Sequence, residues 1–427
     1  MMEEIELNND ELKNPTVCKL DGDPKIGWLR NKNGLLLKTY GWLVKNAIGI
    51  ILLIHGYKGH ARLNYMKINL KMPNGSEDLV VDNDNYYIYK DSWIEKFNQS
   101  GYSVYGIDLQ GHGESQAQRN VRGDFSSLDD LADDVLQYMN QIQDEISNDN
   151  QTYDKSHDIV TTNKKRLPIY IIGYSMGGNI ALRILQLLNK EKGNNINTEE
   201  PNNYKKCNIM LDNSTDINEI DNDIYGMHNY NDYGSYNSYA IASDKDERCY
   251  NDLDKLNIKG CVSLSGMVRL KTLLNSGNKS FKYFYLPLAN LLSFILPNKR
   301  IFSKSAYNKS DYVSNVYKHD KFINTNGIRF KCMSELIKAT LKLDCNIDYL
   351  PKDIPLLFIH STDDTVCSCK GSVLFYDKVN VNKKELHIVN GMNHAITIRP
   401  GNEDILEKII DWIYDLRMND EDELENG

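Results

Sequence analysis

The amino-acid sequence predicts an α/β fold with a mostly parallel central sheet flanked by helices. Six short aliphatic runs recur along the chain, and such runs are typical of strands buried on both faces of a parallel sheet. Helical patterns separate them, and strands that alternate with helices favour a parallel sheet covered on both sides. With 427 residues, 41% of them hydrophobic, the chain is long enough and apolar enough to build such a core.

The predicted elements can be justified in chain order. Trp28 to Trp42 is predicted to be a hairpin, because Asn33-Gly34 supplies left-handed turn residues between two strand-like runs. The sheet therefore opens with antiparallel strands. Two of the predicted helices, Asn179–Leu188 and Asp404–Leu416, carry their apolar residues on one face. The six aliphatic runs are Ala47–Ile54, Ser103–Ile107, Ile169–Ile172, Cys261–Leu264, Leu356–Ile359 and Glu385–Val389.

Two segments do not follow this alternation of strands and helices. Lys190–Leu253 is dense in Asn, Asp, Tyr and Ser and is predicted to be a disordered or loosely ordered insertion. Residues 269–349, called here the cap segment, combine an apolar stretch with a helical pattern and are predicted to form a helical cap insert. The remaining predicted parts are an α/β core domain at 24–268 and 350–417, a polar tail at 1–23 and an acidic tail at 418–427.

Composition argues against several classes of protein. Fifty basic against 59 acidic residues give a net charge of −9, which disfavours nucleic acid as a partner. Met1–Glu11 lacks a basic region leading into an apolar one, and no apolar run reaches the roughly 18 residues that span a bilayer. An intracellular protein, cytoplasmic or peripherally bound to a membrane, is therefore expected. Eight cysteines are too sparse for a disulfide scaffold and are predicted to be reduced.

The strongest functional signal is the sequence Gly173-Tyr174-Ser175-Met176-Gly177-Gly178, which lies between a predicted strand and a predicted helix. Its glycines let the backbone turn sharply and expose Ser175 at the top of the sheet. The following helix N-terminus also favours negative charge. The competing interpretation is a glycine-rich turn without chemistry. We predict that Ser175 is a nucleophile.

A nucleophilic serine needs an imidazole base and a carboxylate, which follow it in the order acid, then histidine, in this kind of fold. The loop after Leu356–Ile359 offers Asp363 and Asp364, and this order does not separate them. His394 follows the last predicted strand and is the predicted base. His387 lies within that strand, and His360, at the end of another strand, could merely orient the acid loop.

Acyl transfer also requires backbone N–H groups that stabilise an oxyanion. The residue after the nucleophile, Met176, supplies one, and Tyr57, which follows the strand Ala47–Ile54, supplies the second. Three further histidines lie in loops at the same edge of the sheet and are expected to brace those loops: His55, His60 and His112.

Taken together, these motifs resemble the monoglyceride lipase and lysophospholipase branch of the α/β-hydrolases. Within that branch, Pro24–Leu187 is most similar to the malaria-parasite subtelomeric lysophospholipase family. The resemblance covers about Pro24–Leu188 and Asn257–Leu416. The motifs that carry it are His55-Gly56-Tyr57-Lys58-Gly59-His60-Ala61-Arg62, Asp108-Leu109-Gln110-Gly111-His112-Gly113-Glu114-Ser115, the turn at Ser175, the Asp363-Asp364 loop and Gly391-Met392-Asn393-His394.

The resemblance implies the roles given above for Ser175, His394, Tyr57 and Met176. In the branch the acid lies three residues after a glycine, whose place Ser361 takes here. The resemblance thus points to Asp364 as the acid and leaves Asp363 as the alternative. It also implies hydrolysis of a lipid-like ester, a monoacylglycerol or lysophospholipid, without a metal or organic cofactor.

The apolar stretch Phe281–Leu296 of the cap segment predicts contact with lipid, either along an acyl tunnel or at a membrane surface. Burial of these side chains within the cap itself is the alternative. Other functions considered are a broad-specificity carboxylesterase, a serine peptidase-like hydrolase and a non-catalytic lipid-binding homologue. The candidate substrate-binding residues are Phe284, Leu288, Leu292 and Phe294.

Overall fold

The computed structural model describes residues 18–73, 79–149, 166–194, 253–270, 286–301 and 312–426. Eight strands of this part form one sheet in the order β1-β2-β4-β3-β5-β6-β7-β8. Their bounds are β1 Lys25–Arg30, β2 Leu36–Trp42, β3 Gly49–Ile54, β4 Tyr102–Ile107, β5 Ile169–Tyr174, β6 Ile258–Leu264, β7 Leu356–Ser361 and β8 Lys384–Val389.

The sheet is mostly parallel. Strand β2 pairs antiparallel with both of its neighbours, and the remaining pairs of the sheet are parallel. The predicted hairpin is the β1–β2 pair, and Gly34 in its turn has the left-handed φ of 79° that the sequence required. The predicted fold class is therefore confirmed, and every predicted strand is present within a few residues of its predicted bounds.

Helices cover both faces of this sheet. Along β3, Ile50 and Leu52 pack with the apolar side of α3 and α4, whereas Ile51 and Leu53 pack with α1, α2 and α10. This alternation explains why the strand is aliphatic at every position. The helices are α1 Ala61–Tyr65, α2 Trp93–Gln99, α3 Leu128–Asp149, α4 Met176–Asn194, α5 Leu253–Leu256, α6 Leu286–Ile295, α7 Tyr312–His319, α8 Phe330–Cys345, α9 Cys369–Lys378 and α10 Glu403–Asn426.

The last helix is longer than the sequence pattern indicated. The predicted helix ended at Leu416 and was followed by an acidic tail, but α10 runs from Glu403 to Asn426. Residues 417–426 contain neither glycine nor proline, so nothing in the sequence ends the helix where its apolar pattern stops. Helix α10 therefore includes residues 418–426 of the predicted acidic tail.

Parts of the two interrupting segments fall within the described structure. Helix α4 continues to Asn194, and the rest of the predicted insertion, up to residue 252, lies outside the described residues. In the cap segment, α8 packs against the core through side chains that join the same apolar cluster as α4, among them Leu336 and Leu343. Two short antiparallel strands, Arg300–Ile301 after α6 and Ile328–Arg329 before α8, pair with each other.

The cysteines agree with the prediction only in part. Five of those described carry free thiols, but Cys345 is disulfide-bonded. The prediction of reduced thiols is therefore wrong at Cys345, because a low overall count does not prevent a single bridge. The free cysteines are Cys18, Cys261, Cys332, Cys367 and Cys369.

Candidate active site

The turn between β5 and α4 holds Ser175 in a conformation that few side chains adopt. Its φ is 54°, in the left-handed region, which costs on the order of 1 kcal/mol or more for a non-glycine residue. A Cβ atom on Gly173 would lie 2.2 Å from the carbonyl oxygen of Gly177, and one on Gly177 would lie 2.2 Å from that of Ile54. The flanking glycines are therefore a steric requirement of this turn.

Two hydrogen bonds link Ser175, His394 and Asp364. The Ser175 hydroxyl lies 2.9 Å from Nε2 of His394, and Nδ1 of His394 lies 2.7 Å from Oδ2 of Asp364. In this arrangement Nδ1–H donates to the carboxylate and Nε2 is left to accept from the hydroxyl. All three side chains are buried. They follow β5, β8 and β7, whose carboxyl ends meet at one edge of the sheet.

The carboxylate of Asp364 is surrounded by donors. Its Oδ1 accepts the backbone N–H groups of Val366 and Cys367, each at 2.8 Å. Burial alone raises the pKa of the Asp364 carboxyl, but the nearby N–H group of His360 and the hydrogen bond from His394 outweigh it and hold this pKa below its usual range. Asp364 is therefore ionised at neutral pH and can orient a neighbouring imidazole.

The neighbouring carboxylate, Asp363, contacts the backbone of the histidine loop and not the imidazole. Asp363 is exposed, and its Oδ2 accepts the backbone N–H of Gly391 at 2.7 Å. Gly391 belongs to the loop that carries His394, so Asp363 ties this loop to the end of β7. The structure brings the imidazole to Asp364 and not to Asp363.

The loop after β3 lies directly against the Ser175 turn. A Cβ atom on Gly56 would lie 3.1 Å from the Cβ of Ser175, and the N–H of Gly56 is held by Oδ1 of Asn64 at 3.1 Å. The next residue is Tyr57. Within the described residues, no hydrogen bond uses the backbone N–H of Tyr57 or of Met176. These two N–H groups are therefore left for another acceptor.

Two buried histidines brace these loops. In His55, Nε2 accepts the N–H of Leu109 at 2.9 Å, and Nδ1–H donates to the carbonyl of Gly56. In His112, Nδ1–H donates to the carbonyl of Gln110. Burial lowers the pKa of His55 to about 3. Burial, together with the nearby His55, also lowers the pKa of His112 to about 3. Both rings are neutral at pH 7 and serve as structural braces, as the sequence predicted.

The third histidine of this group joins the cap segment to the core. Nε2 of His60 lies 3.2 Å from the carboxylate of Asp320, and the hydroxyl of Tyr87 donates to the same carboxylate at 2.8 Å. The N–H of Asn324 also donates to the carbonyl of Lys58 at 3.0 Å. The cap segment is thereby anchored to the loop that carries Tyr57.

Sequence reasoning gave no site role to Tyr174 or Cys367. The Tyr174 hydroxyl donates to the carbonyl of His394 at 3.0 Å, and its ring centroid lies 5.4 Å from that of the imidazole. Cys367 donates its backbone N–H to Asp364. Burial and then the charge of Asp364 raise the pKa of the Cys367 thiol well above its usual value, although a hydrogen bond with Ser175 acts to lower it. The only signal in the sequence was that both lie within three residues of a candidate site residue.

The four candidate substrate-binding residues differ in what the structure reveals. Phe284 lies outside the described residues, and Leu288 lies in α6, where its side chain is not described. Leu292 is half-buried, whereas Phe294 is 86% exposed. Phe294 therefore faces solvent and does not line an enclosed tunnel. In the described part of the chain, no group of three His, Cys, Asp or Glu residues could hold a metal ion.

A family model agrees with the geometry of this site. The model of the Hydrolase_4 family, described as serine aminopeptidase S33, matches residues 83–196 and 250–400, more than half of the chain. The chain belongs to this family. The chain is also similar to proteins named as lipases. The chain is 19% identical to monoglyceride lipase of Mus musculus over 314 residues, 73% of this chain and 72% of the lipase.

A second relative matches over a shorter stretch. It is an uncharacterized abhydrolase domain-containing protein of Dictyostelium discoideum, 28% identical over 169 residues. The match covers 38% of this chain and only 17% of that much longer protein.

Solved structures share the fold. A soluble variant of monoglyceride lipase from Saccharomyces cerevisiae, in complex with a substrate analog, has a TM-score of 0.57 at 16% identity, over 92% of this chain and 95% of the lipase. A thermostable carboxyl esterase from Bacillus coagulans has a TM-score of 0.53 at 14% identity, over 92% of this chain and 98% of the esterase. Family and relatives support an α/β-hydrolase of the monoglyceride lipase-like branch.

Proposed function

We propose that this protein is a serine hydrolase that cleaves the acyl ester of monoacylglycerols or lysophospholipids through an acyl-enzyme intermediate. The observation that carries the proposal is the hydrogen-bonded series Ser175, His394 and Asp364. These are the residue types and contacts that activate a serine nucleophile. The finer resemblance to the malaria-parasite lysophospholipase family is part of this proposal.

Each residue has one task in the proposed reaction. Ser175 Oγ attacks the ester carbonyl while Nε2 of His394 takes its proton, and the imidazolium then returns this proton to the leaving alcohol. The backbone N–H groups of Tyr57 and Met176 stabilise the oxyanion, since the described structure leaves both unused. Water, deprotonated by His394, then attacks the acyl-enzyme; the bond from the acyl carbon to Ser175 Oγ breaks, His394 returns the proton to Oγ, and the fatty acid is released.

The surface of α6 supports a lipid substrate. Its side chains Leu291, Phe294 and Ile295 are 53%, 86% and 58% exposed, and Lys299 and Arg300 follow shortly after the end of the helix. An exposed apolar patch bordered by basic residues is suited to a lipid surface, where the apolar groups enter the acyl region and the cations meet head groups. In the described residues no helix is long and apolar enough to cross a membrane. We therefore propose that α6 lies along the surface and gives peripheral membrane contact.

The family description names an aminopeptidase, so a peptidase is the alternative function. An aminopeptidase needs a carboxylate for the α-ammonium group of its substrate. In the loop after β7, Asp364 is engaged by His394 and Asp363 by Gly391, so neither is available for that task. The apolar surface of α6 favours an ester of a lipid over a peptide.

A labelling and turnover experiment tests the proposal. Wild-type protein should react with a fluorophosphonate probe and hydrolyse monoacylglycerol or lysophosphatidylcholine faster than aminoacyl amides. Ser175→Ala should abolish both labelling and turnover, with a loss on the order of 10⁶-fold in kcat. The variant should stay folded, because the turn depends on the glycines and not on the hydroxyl. A wild-type protein that does not label would support the non-catalytic alternative, and preferential cleavage of amides would support the peptidase.

A further inference from the structure

A second histidine faces the carboxylate that orients His394. His360 is the fifth residue of β7 and is 1% exposed. Its Nε2 lies 3.2 Å from Oδ2 of Asp364, the same oxygen that accepts Nδ1–H of His394 at 2.7 Å. On the other side of the ring, Nδ1 lies 2.8 Å from the hydroxyl of Ser372 in α9. Two imidazoles thus share one carboxylate oxygen.

The two contacts of His360 decide which ring nitrogen carries the proton. A lone pair on Nε2 would face the negative carboxylate at 3.2 Å and be repelled, so Nε2 carries hydrogen. Nδ1 is then free to accept the Ser372 hydroxyl proton. The Nε2–H group makes no well-aligned hydrogen bond, so it stabilises the carboxylate as a nearby dipole. It therefore does not displace the short, aligned bond from His394.

We propose that His360 is a positioning residue that, with its proton directed by Ser372, fixes the Asp364 carboxylate against which the His394 ring is oriented. The inference rests on the proposed function, in which Asp364 orients the base. With Oδ1 held by two backbone N–H groups and Oδ2 faced by two imidazoles, the carboxylate has one orientation. The positive end of the His360 dipole also offsets part of the negative charge that His394 experiences.

This arrangement predicts the direction of a pH effect. The polar groups at the His360 ring are the carboxylate of Asp364 and the hydroxyl of Ser372. His394, from the loop after β8, donates to the same oxygen of Asp364, Oδ2. The backbone N–H of Cys367 donates to the other oxygen, Oδ1. Without the His360 N–H, the carboxylate stabilises the protonated form of His394 more strongly. The acid limb of kcat/KM, which reports the free enzyme's base, should then move to higher pH.

A matched pair of substitutions tests the proposal. The amide nitrogen of glutamine can occupy the place of Nε2, whereas that of asparagine falls near Nδ1. His360→Gln should therefore keep kcat within about threefold of wild type, on a soluble short-chain ester, with the acid limb unmoved. His360→Asn should lower kcat about tenfold, because the Asp364 carboxylate loses the N–H dipole that faces it, and should move the acid limb upward. Fluorophosphonate labelling of the wild type separates failure of this inference from failure of the proposed function.

Ser372→Ala provides a second test that leaves His360 in place. It should cause a smaller change in the same direction, and it should add nothing to His360→Asn, because residues that act through one contact are not additive. Equal losses in the Gln and Asn variants with an unmoved acid limb would assign His360 a purely structural role and overturn the proposal. Wild-type kinetics for His360→Asn would overturn it as well.

Discussion

The carboxylate of Asp363 accepts a hydrogen bond of 2.7 Å from the backbone N–H of Gly391. The adjacent carboxylate, Asp364, instead receives Nδ1–H of His394. The two side chains leave this turn in different directions, so one carboxylate reaches the backbone of the histidine loop and the other reaches its imidazole. The loop is thus positioned by one acid, and the ring by the other.

We expect the two acids to differ in their effect on turnover. Asp364→Asn should lower kcat by about 10⁴-fold, because His394 loses the partner that fixes its tautomer. Asp363→Asn should cost much less, since only one contact to the histidine loop is affected. Steady-state kinetics on a soluble ester measures both variants. A larger loss in Asp363→Asn would make Asp363 the acid, and equally large losses would mean that the two act jointly.

Gly177 should be intolerant of any side chain. A Cβ atom there would meet the carbonyl oxygen of Ile54 at 2.2 Å, and backbone of a buried strand cannot give way as a flexible side chain can. Gly177→Ala should therefore lower the free energy of unfolding by about 1–3 kcal/mol or more, as overpacking of a core does. Urea denaturation measures this change.

Gly41→Ala is the matched control for this change. A Cβ atom on Gly41 would lie 3.3 Å from the ring of Tyr105, which can shift slightly, so the unfolding free energy should change by less than about 1 kcal/mol. Equal effects of the two substitutions would contradict the steric explanation of the Ser175 turn.

The surface of α6 should matter only when the substrate is presented in a lipid aggregate. Replacing Phe294 and Ile295 by serine should weaken binding to phospholipid vesicles, since each buried methylene contributes about 0.8 kcal/mol to transfer into lipid. Turnover of monoacylglycerol in vesicles should fall, and turnover of a soluble butyryl ester should stay the same. Vesicle sedimentation and the two activity assays measure these effects.

Tyr414→Ser gives a matched control for the α6 surface. Tyr414 is a large side chain, 52% exposed, on α10, so its replacement should leave vesicle binding unchanged. If the α6 double variant lost activity equally on both substrates, its side chains would serve the stability of the cap segment instead of contact with lipid.

The buried histidines predict a loss of stability in acid. The pKa of His112 is lowered by burial to about 3 from an ordinary value of 6.5, so the unfolded chain binds a proton that the folded protein does not. The free energy of unfolding should therefore fall as pH drops below 6.5 towards 3, with a slope of at most about 1.4 kcal/mol per pH unit from this residue. Urea unfolding between pH 4.5 and 7 measures the slope.

His112→Asn separates this contribution from that of the carboxylates. The asparagine amide can replace Nδ1–H in donating to the carbonyl of Gln110, but it does not titrate. The slope of unfolding free energy against pH should be shallower in this variant than in the wild type. An unchanged slope would show that His112 does not contribute to the acid sensitivity.

The elements were predictable wherever the signal was local. Aliphatic runs identified β3 to β8, since a strand buried on both faces is apolar at successive positions, and the turn residues Asn33-Gly34 identified the β1–β2 hairpin. The glycines around Ser175 identified the turn, because their need for space is a property of the backbone itself. The helix α10 was predicted too short, since its last turns follow from intrinsic propensity after the apolar pattern has ended.

The sequence by itself determined the fold class, the Ser175 turn and the loops in which an acid and a histidine would be found. Only the tertiary structure decided that His394 contacts Asp364 instead of Asp363, that His360 faces the same carboxylate, and that Phe294 points to solvent. The physical reason is that these contacts join residues from separate strand ends or depend on which way a side chain leaves its loop. Such directions are fixed by packing between elements and leave no periodic trace along the chain.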